Sequence, residues 1–184
     1  MDVNFKYNEP EANEPVRIEQ VFAEKPAGGM IKAPAFDILP TTAVSENADG
    51  SFSPIKAYRL VKANASADST IEIAKGSGIA TSDFLGYGKK AVKVTSVNKN
   101  AADKDVVTIQ MGVDIPAGAV LYQAKAASAD AAEPIAKPKY VTGNFVAGGE
   151  GDKAVRLING ANLRKETACV GEDIAALMPT ITLV

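Results

Sequence analysis

The chain has 184 residues, 20 basic side chains against 22 acidic ones, a formal charge of −2 and no histidine. That balance lacks the clustered basic face that neutralises phosphates, and the missing imidazole removes Ser-His-Asp and Cys-His catalysis together with His-ligated zinc. Apolar residues make up 46% but aromatics only 6%, with no Trp, so the core must be built from Val, Ile, Leu and Ala, which suits thin sheet layers better than a deep ligand cavity.

The start, Met1-Asp2-Val3-Asn4-Phe5, has no basic segment leading into an apolar one, so no secretory signal is expected. No apolar run approaches the roughly 20 residues that span a bilayer, and synthesis in a cytoplasm without membrane association is the expectation. Residues 1–54 carry Pro10, Pro15, Pro26, Pro34, Pro40 and Pro54, too closely spaced for a long helix or a central strand. Between them lie Val16-Arg17-Ile18, Val21-Phe22 and Phe36-Asp37-Ile38-Leu39, too short to fold alone and too apolar for a plain linker. The reading is an extended N-terminal arm, residues 1–54, lying along its own domain or a neighbour. Disorder is the competing reading for residues 1–30.

From Ile55 the rhythm changes to short β-like runs divided by Gly, Asn and Asp, giving a β-rich domain over residues 55–184. Expected strands are Ala57–Lys62, Thr70–Ala74, Ala91–Val97, Val106–Met111, Ala119–Gln123, Tyr140–Thr142, Ala154–Ile158 and Thr180–Val184. Asn159-Gly160 reads as a type I′ turn folding Val155–Ile158 back on Ala161–Arg164. Glu172–Met178 reads as two helical turns stopped by Pro179, and the Ala-rich stretch Ala124–Ala136 reads as a flexible loop, with a second short helix as the alternative. The fold class that follows is all-β, a mainly antiparallel sandwich or barrel with an extended arm and one or two short helices.

Candidate chemistry is sparse. In the stretch that carries Lys89, Lys90, Lys93 and Lys99, Val92 and Val94 share one parity while Lys93 and Thr95 take the other, which reads as the wet face of a strand, with a phosphate or anionic-surface contact as the alternative. Cys169 is the single cysteine, so an intrachain disulfide is excluded, and it reads as a small half-buried apolar residue, with a reactive or intermolecular thiol as the alternative. Gly148-Gly149-Glu150-Gly151-Asp152-Lys153 has the wrong spacing for a phosphate loop, with Ala154 where Ser or Thr would bind magnesium; Gly76-Ser77-Gly78 lacks a third dinucleotide glycine. Both read as turns. Asp103-Lys104-Asp105 offers two carboxylates where calcium needs six or more ligands, and reads as a turn before a strand. No catalytic, cofactor-binding or metal-binding residue is assigned, no cofactor is expected, and the chain is read as non-enzymatic.

Five stretches nevertheless carry a family resemblance. Phe36-Asp37-Ile38-Leu39-Pro40, Gly50-Ser51-Phe52-Ser53-Pro54-Ile55-Lys56-Ala57-Tyr58-Arg59-Leu60 and Lys75-Gly76-Ser77-Gly78-Ile79 resemble head-fibre proteins of tailed phages and prophages. Ile115-Pro116-Ala117-Gly118-Ala119-Val120-Leu121-Tyr122 is similar to a turn and strand of capsid decoration proteins, as is the stretch from Ala154 through Arg164-Lys165-Glu166 to the terminal strand. The resemblance implies a protein of the capsid exterior, a homotrimer on the three-fold positions of a shell built from a major capsid protein, with a host-surface glycan as a further ligand to consider. No heptad or collagen-like repeat is present, so a long fibre shaft is not encoded. The rival reading from another class is a carbohydrate- or protein-binding adhesin module of a cell or virion surface.

Overall fold

The computed structural model describes residues 15–184, so the beginning of the expected arm, residues 1–14, lies outside the described residues. In chain order the elements are β1 (Ile18–Glu24), β2 (Gly29–Ile31), β3 (Ala43–Glu46), β4 (Phe52–Pro54), β5 (Ala57–Arg59), β6 (Thr70–Ala74), β7 (Phe84–Tyr87), β8 (Lys90–Lys93), β9 (Ser96–Asn98), β10 (Lys104–Thr108), β11 (Val120–Ala124), β12 (Tyr140–Thr142), β13 (Lys153–Val155), β14 (Leu157–Leu163), α1 (Glu172–Ala175) and β15 (Ile181–Leu183). The expected all-β, mainly antiparallel architecture with a short helix is what these residues form.

The strands make an eight-stranded sheet in the order β1-β14-β12-β3-β4-β2-β13 with β15 beside β14, a four-stranded sheet β5-β11-β7-β8 and a three-stranded sheet β6-β10-β9. Pairing is antiparallel except between β14 and β15 and between β2 and β4. Strand alternation divides the core into three clusters. From β11, Leu121 points into a cluster shared with Ile71, Ile73 and Val107 of the small sheet, while Tyr122 and Ala124 point the other way, towards Val141, Ile158 and Leu163 of the large sheet. The four-stranded sheet is therefore the middle layer, which is why Val120, Leu121 and Tyr122 are all buried in succession. Gly86 faces Tyr122 across the β7–β11 ladder, and a Cβ there would lie 2.4 Å from the tyrosine ring; only glycine leaves room for the ring in this layer.

The far face of the large sheet holds the third cluster, and the segment before residue 54 contributes to it. Ile31, Ile38, Val44 and Phe52 supply most of that cluster, with Val146, Val155 and Leu157. β1 to β4 all come from the Pro-rich segment and are paired within the large sheet. The prolines do exclude long strands, but strands of three to seven residues fit between them, with Pro54 at the end of β4, where its missing N–H is tolerated.

Asn159-Gly160 also departs from expectation. No turn forms: β14 runs straight through the pair, and Ala23 of β1 faces Gly160 while Glu24 faces Ile158, so Asn159 is the extra residue of a β-bulge. The bulge inverts the alternation. Ile158 faces the middle core before it, and Ala161 and Leu163, of opposite parity, face the same core after it. The expected strand Ala91–Val97 is likewise two strands in two sheets, because Val94 N–H donates to Asp83 O (3.0 Å) and Thr95 N–H to Thr108 O (3.0 Å) at the corner between β8 and β9. The Ala-rich stretch 124–136 contains no helix; it is tied down by paired hydrogen bonds between Ala91 and Ser128 and by Ile135 N–H to Gln123 O.

Candidate functional site

The residues singled out from sequence do not converge. Lys89, Lys93 and Lys99 are exposed and Lys90 half-buried; Lys90 and Lys93 lie on β8, Lys89 in the turn before it and Lys99 in the loop after β9. Gly76-Ser77-Gly78 and the Gly148–Asp152 stretch are turns, with φ of +81° at Gly76 and +77° at Gly151. Lys104 and Asp105 belong to β10 itself rather than to a turn, and Asp105 is buried against Lys75 (2.7 Å). Among the described residues no group of three His, Cys, Asp or Glu side chains is placed to hold a metal ion, and no helix is long and apolar enough to cross a membrane.

What the fold does build is a cavity of about 590 Å³ at the edge of the middle layer, lined by the Pro116–Val120 turn, Tyr87, Lys165, Glu166, the 170–173 segment and Leu183. Its floor depends on Gly171, where a Cβ would lie 2.3 Å from Val120 O; this lets the start of α1 rest on the β11 backbone. Asp173 accepts a hydrogen bond from Gly88 N–H (2.8 Å), closing one wall. Lys165 pairs with Glu172 at the rim. Burial pushes the Tyr87 hydroxyl above its usual value, and the carboxylates of Asp173 and Glu172 add to it, so this wall keeps a neutral phenol between two anions.

Arg59 stands between this cavity and a second one of about 260 Å³, lined by Arg17, Phe36, Asp37, Ser77 and Cys169 among others. Its guanidinium is held by backbone carbonyls: Nη1 donates to Gly118 O (2.6 Å) and Nη2 to Ala168 O and Lys165 O. Arg17, from the segment entering β1, approaches the same chain segment, donating from Nη1 to Thr167 O (2.5 Å) and to Cys169 Sγ (3.5 Å). Neither guanidinium has a carboxylate partner among the described residues. Burial lowers the Arg59 pKa; the Cys169 sulfur opposes this and the charge of Arg17 reinforces it. Cys169 is half-buried as expected, with its N–H donated to Thr41 Oγ1 (2.7 Å). Thr41 is buried with φ +70°, a strained conformation for a β-branched residue, held by that bond and by its own N–H to Thr142 O (2.7 Å).

A separate buried carboxylate, Asp83, is fully committed to the fold. It accepts from Lys56 Nζ (2.8 Å), the Tyr58 hydroxyl (3.0 Å), Gln123 Nε2 (3.2 Å) and Ala80 N–H (2.9 Å). Burial first, and then the charge of Asp83, drive the Tyr58 hydroxyl far above its usual value. A carboxylate with every lone pair engaged is a structural anchor rather than an acid or base available to a ligand.

Sequence reasoning passed over Arg17 and Arg59, because each sits alone in an apolar run and nothing local shows that the two meet across Cys169. No protein-family model, curated protein or solved structure matches the chain.

Proposed function

We propose that this chain is a structural protein of a tailed-phage capsid exterior, a head fibre or decoration protein that attaches to an assembled shell of major capsid protein. The observation that carries an assembly role is the edge of the large sheet. β1 is paired to β14 on one side and to no strand on the other among the described residues, and Val16 (52% exposed) and Phe22 (58% exposed) stand along this segment. An unpaired edge bearing large apolar side chains is a template for another chain. The resemblance of the Phe36–Ile79 and Ile115–Tyr122 segments to head-fibre and decoration proteins supplies the kind of partner.

In this reading the protein is a non-enzymatic homotrimer, and three modest contacts presented together at a three-fold position act through high effective concentration. Light scattering then gives about three times 19.1 kDa, and the protein co-sediments with assembled heads but not with free capsid subunits. Failure to bind heads removes the reading. The alternative, a glycan-binding adhesin, is favoured by the larger cavity, where Tyr87 stands beside Asp173 and Glu172; retention on a glycan array without head binding would put that reading in its place.

A further inference from the structure

We propose that the smaller cavity is a binding site for a single small oxyanion, a carboxylate or a phosphoryl group, held between Arg17 and Arg59. The site stands whether or not the chain decorates a capsid. Two guanidiniums face one space of about 260 Å³, and among the described residues their partners are backbone carbonyls and one sulfur rather than carboxylates. Arg17 Nε and Nη2 and Arg59 Nε have no hydrogen-bond acceptor among those residues. The Nε–Nη2 edge of Arg17 is a planar donor fork of the kind that suits an oxyanion, and Arg59 Nε adds a single donor to it.

The other charged groups at the cavity do not fill this role. Lys75 is neutralised by Asp105 at 2.7 Å. Asp37, the carboxylate of the lining, has Oδ1 occupied by Gly148 N–H at 2.8 Å. An independent observation points the same way: Ser77 Oγ, in the same lining, is buried without any hydrogen-bond partner. A buried hydroxyl left unpaired costs free energy that an acceptor in the cavity would recover. The volume admits one carboxylate or phosphate group and is too small for a nucleotide.

Cys169 lines this cavity and is the chain's single thiol, so its alkylation reports on the site alone. The full chain is treated with neutral iodoacetamide in sodium acetate, sodium phosphate or sodium chloride at matched ionic strength. At roughly 1–50 mM anion, the range for a weakly held single ion, alkylation is expected to slow saturably by about fivefold or more, the lower end of coupling between two ligands. Protection by acetate assigns the site to carboxylates, and protection by phosphate alone assigns it to phosphoryl groups. Arg17→Gln should abolish the protection and Arg17→Lys should weaken it. Because Arg17→Gln also releases Thr167 O, the wild-type chain is titrated in parallel, and saturable shifts of the Ser77 and Cys169 amide resonances are expected with oxyanion but not chloride. Equal rates in all three salts, or protection that survives Arg17→Gln, overturn the proposal.

Discussion

Replacing Asp83 with Asn removes the charge shared by Lys56, Tyr58, Gln123 and the Ala80 amide. The Asp83 side chain is 5% exposed and that of Lys56 16%, so water cannot take over the ammonium. The new amide group also turns two donors towards a site already crowded with donors. Breaking a buried ion pair from one side costs about 3–5 kcal/mol, and the slight exposure of Lys56 favours the lower end, about 3 kcal/mol. For a chain of this length that is roughly 6–12 °C in Tm. Urea and thermal denaturation followed by circular dichroism measure it, and Lys56→Met closes a double-mutant cycle. The double variant should be less destabilised than the sum of the singles, since neither then strands a buried charge. A Tm for Asp83→Asn within about 1 °C of wild type would refute the role assigned to this carboxylate, because it corresponds to less than about 0.5 kcal/mol.

Alkaline stability tests the same cluster from Tyr58. Its folded pKa is raised, so the stabilisation is fully present below the unfolded value near 10 and is lost as pH rises above it, where only the unfolded state gives up the proton; the slope is about 1.4 kcal/mol per pH unit. Tyr58→Phe should cost about 1.5–3 kcal/mol at pH 7 through the lost hydrogen bond to a charged group, and its deficit should shrink between pH 9.5 and 11; a constant deficit contradicts the assignment. Gly171→Ala sets a Cβ against Val120 O and should destabilise by about 1–3 kcal/mol, read by urea denaturation, whereas no change would mean that α1 does not rest on β11. Deleting residues 1–32 removes β1 and β2 and uncovers β14. The truncated chain is expected to aggregate or to lose cooperative unfolding, and a soluble, cooperatively folding product would show that these strands are dispensable.

The local content of the fold is legible in neighbouring residues alone. Alternation in Thr70–Ala74 and Tyr140–Thr142 placed β6 and β12 at their observed bounds, and Glu172, Asp173 and Pro179 marked the one helix among the described residues, because these signals act over neighbouring residues. What spans the chain was decided only by tertiary structure. The Pro-rich segment looked like an arm because each apolar piece is too short to fold alone, yet Ile31, Ile38, Val44 and Phe52 pack against Val155 and Leu157, which lie far along the chain. Asn159-Gly160 has the composition of a turn, but pairing with β1 and β15 on either side of β14 holds the strand straight and turns the extra residue into a bulge. Arg17 and Arg59 lie 42 positions apart and meet at Cys169 only because the segment entering β1 and the end of β5 border the same cavity. A charge carries no local signal of what it will face, and its partner is set by which strands the core brings together.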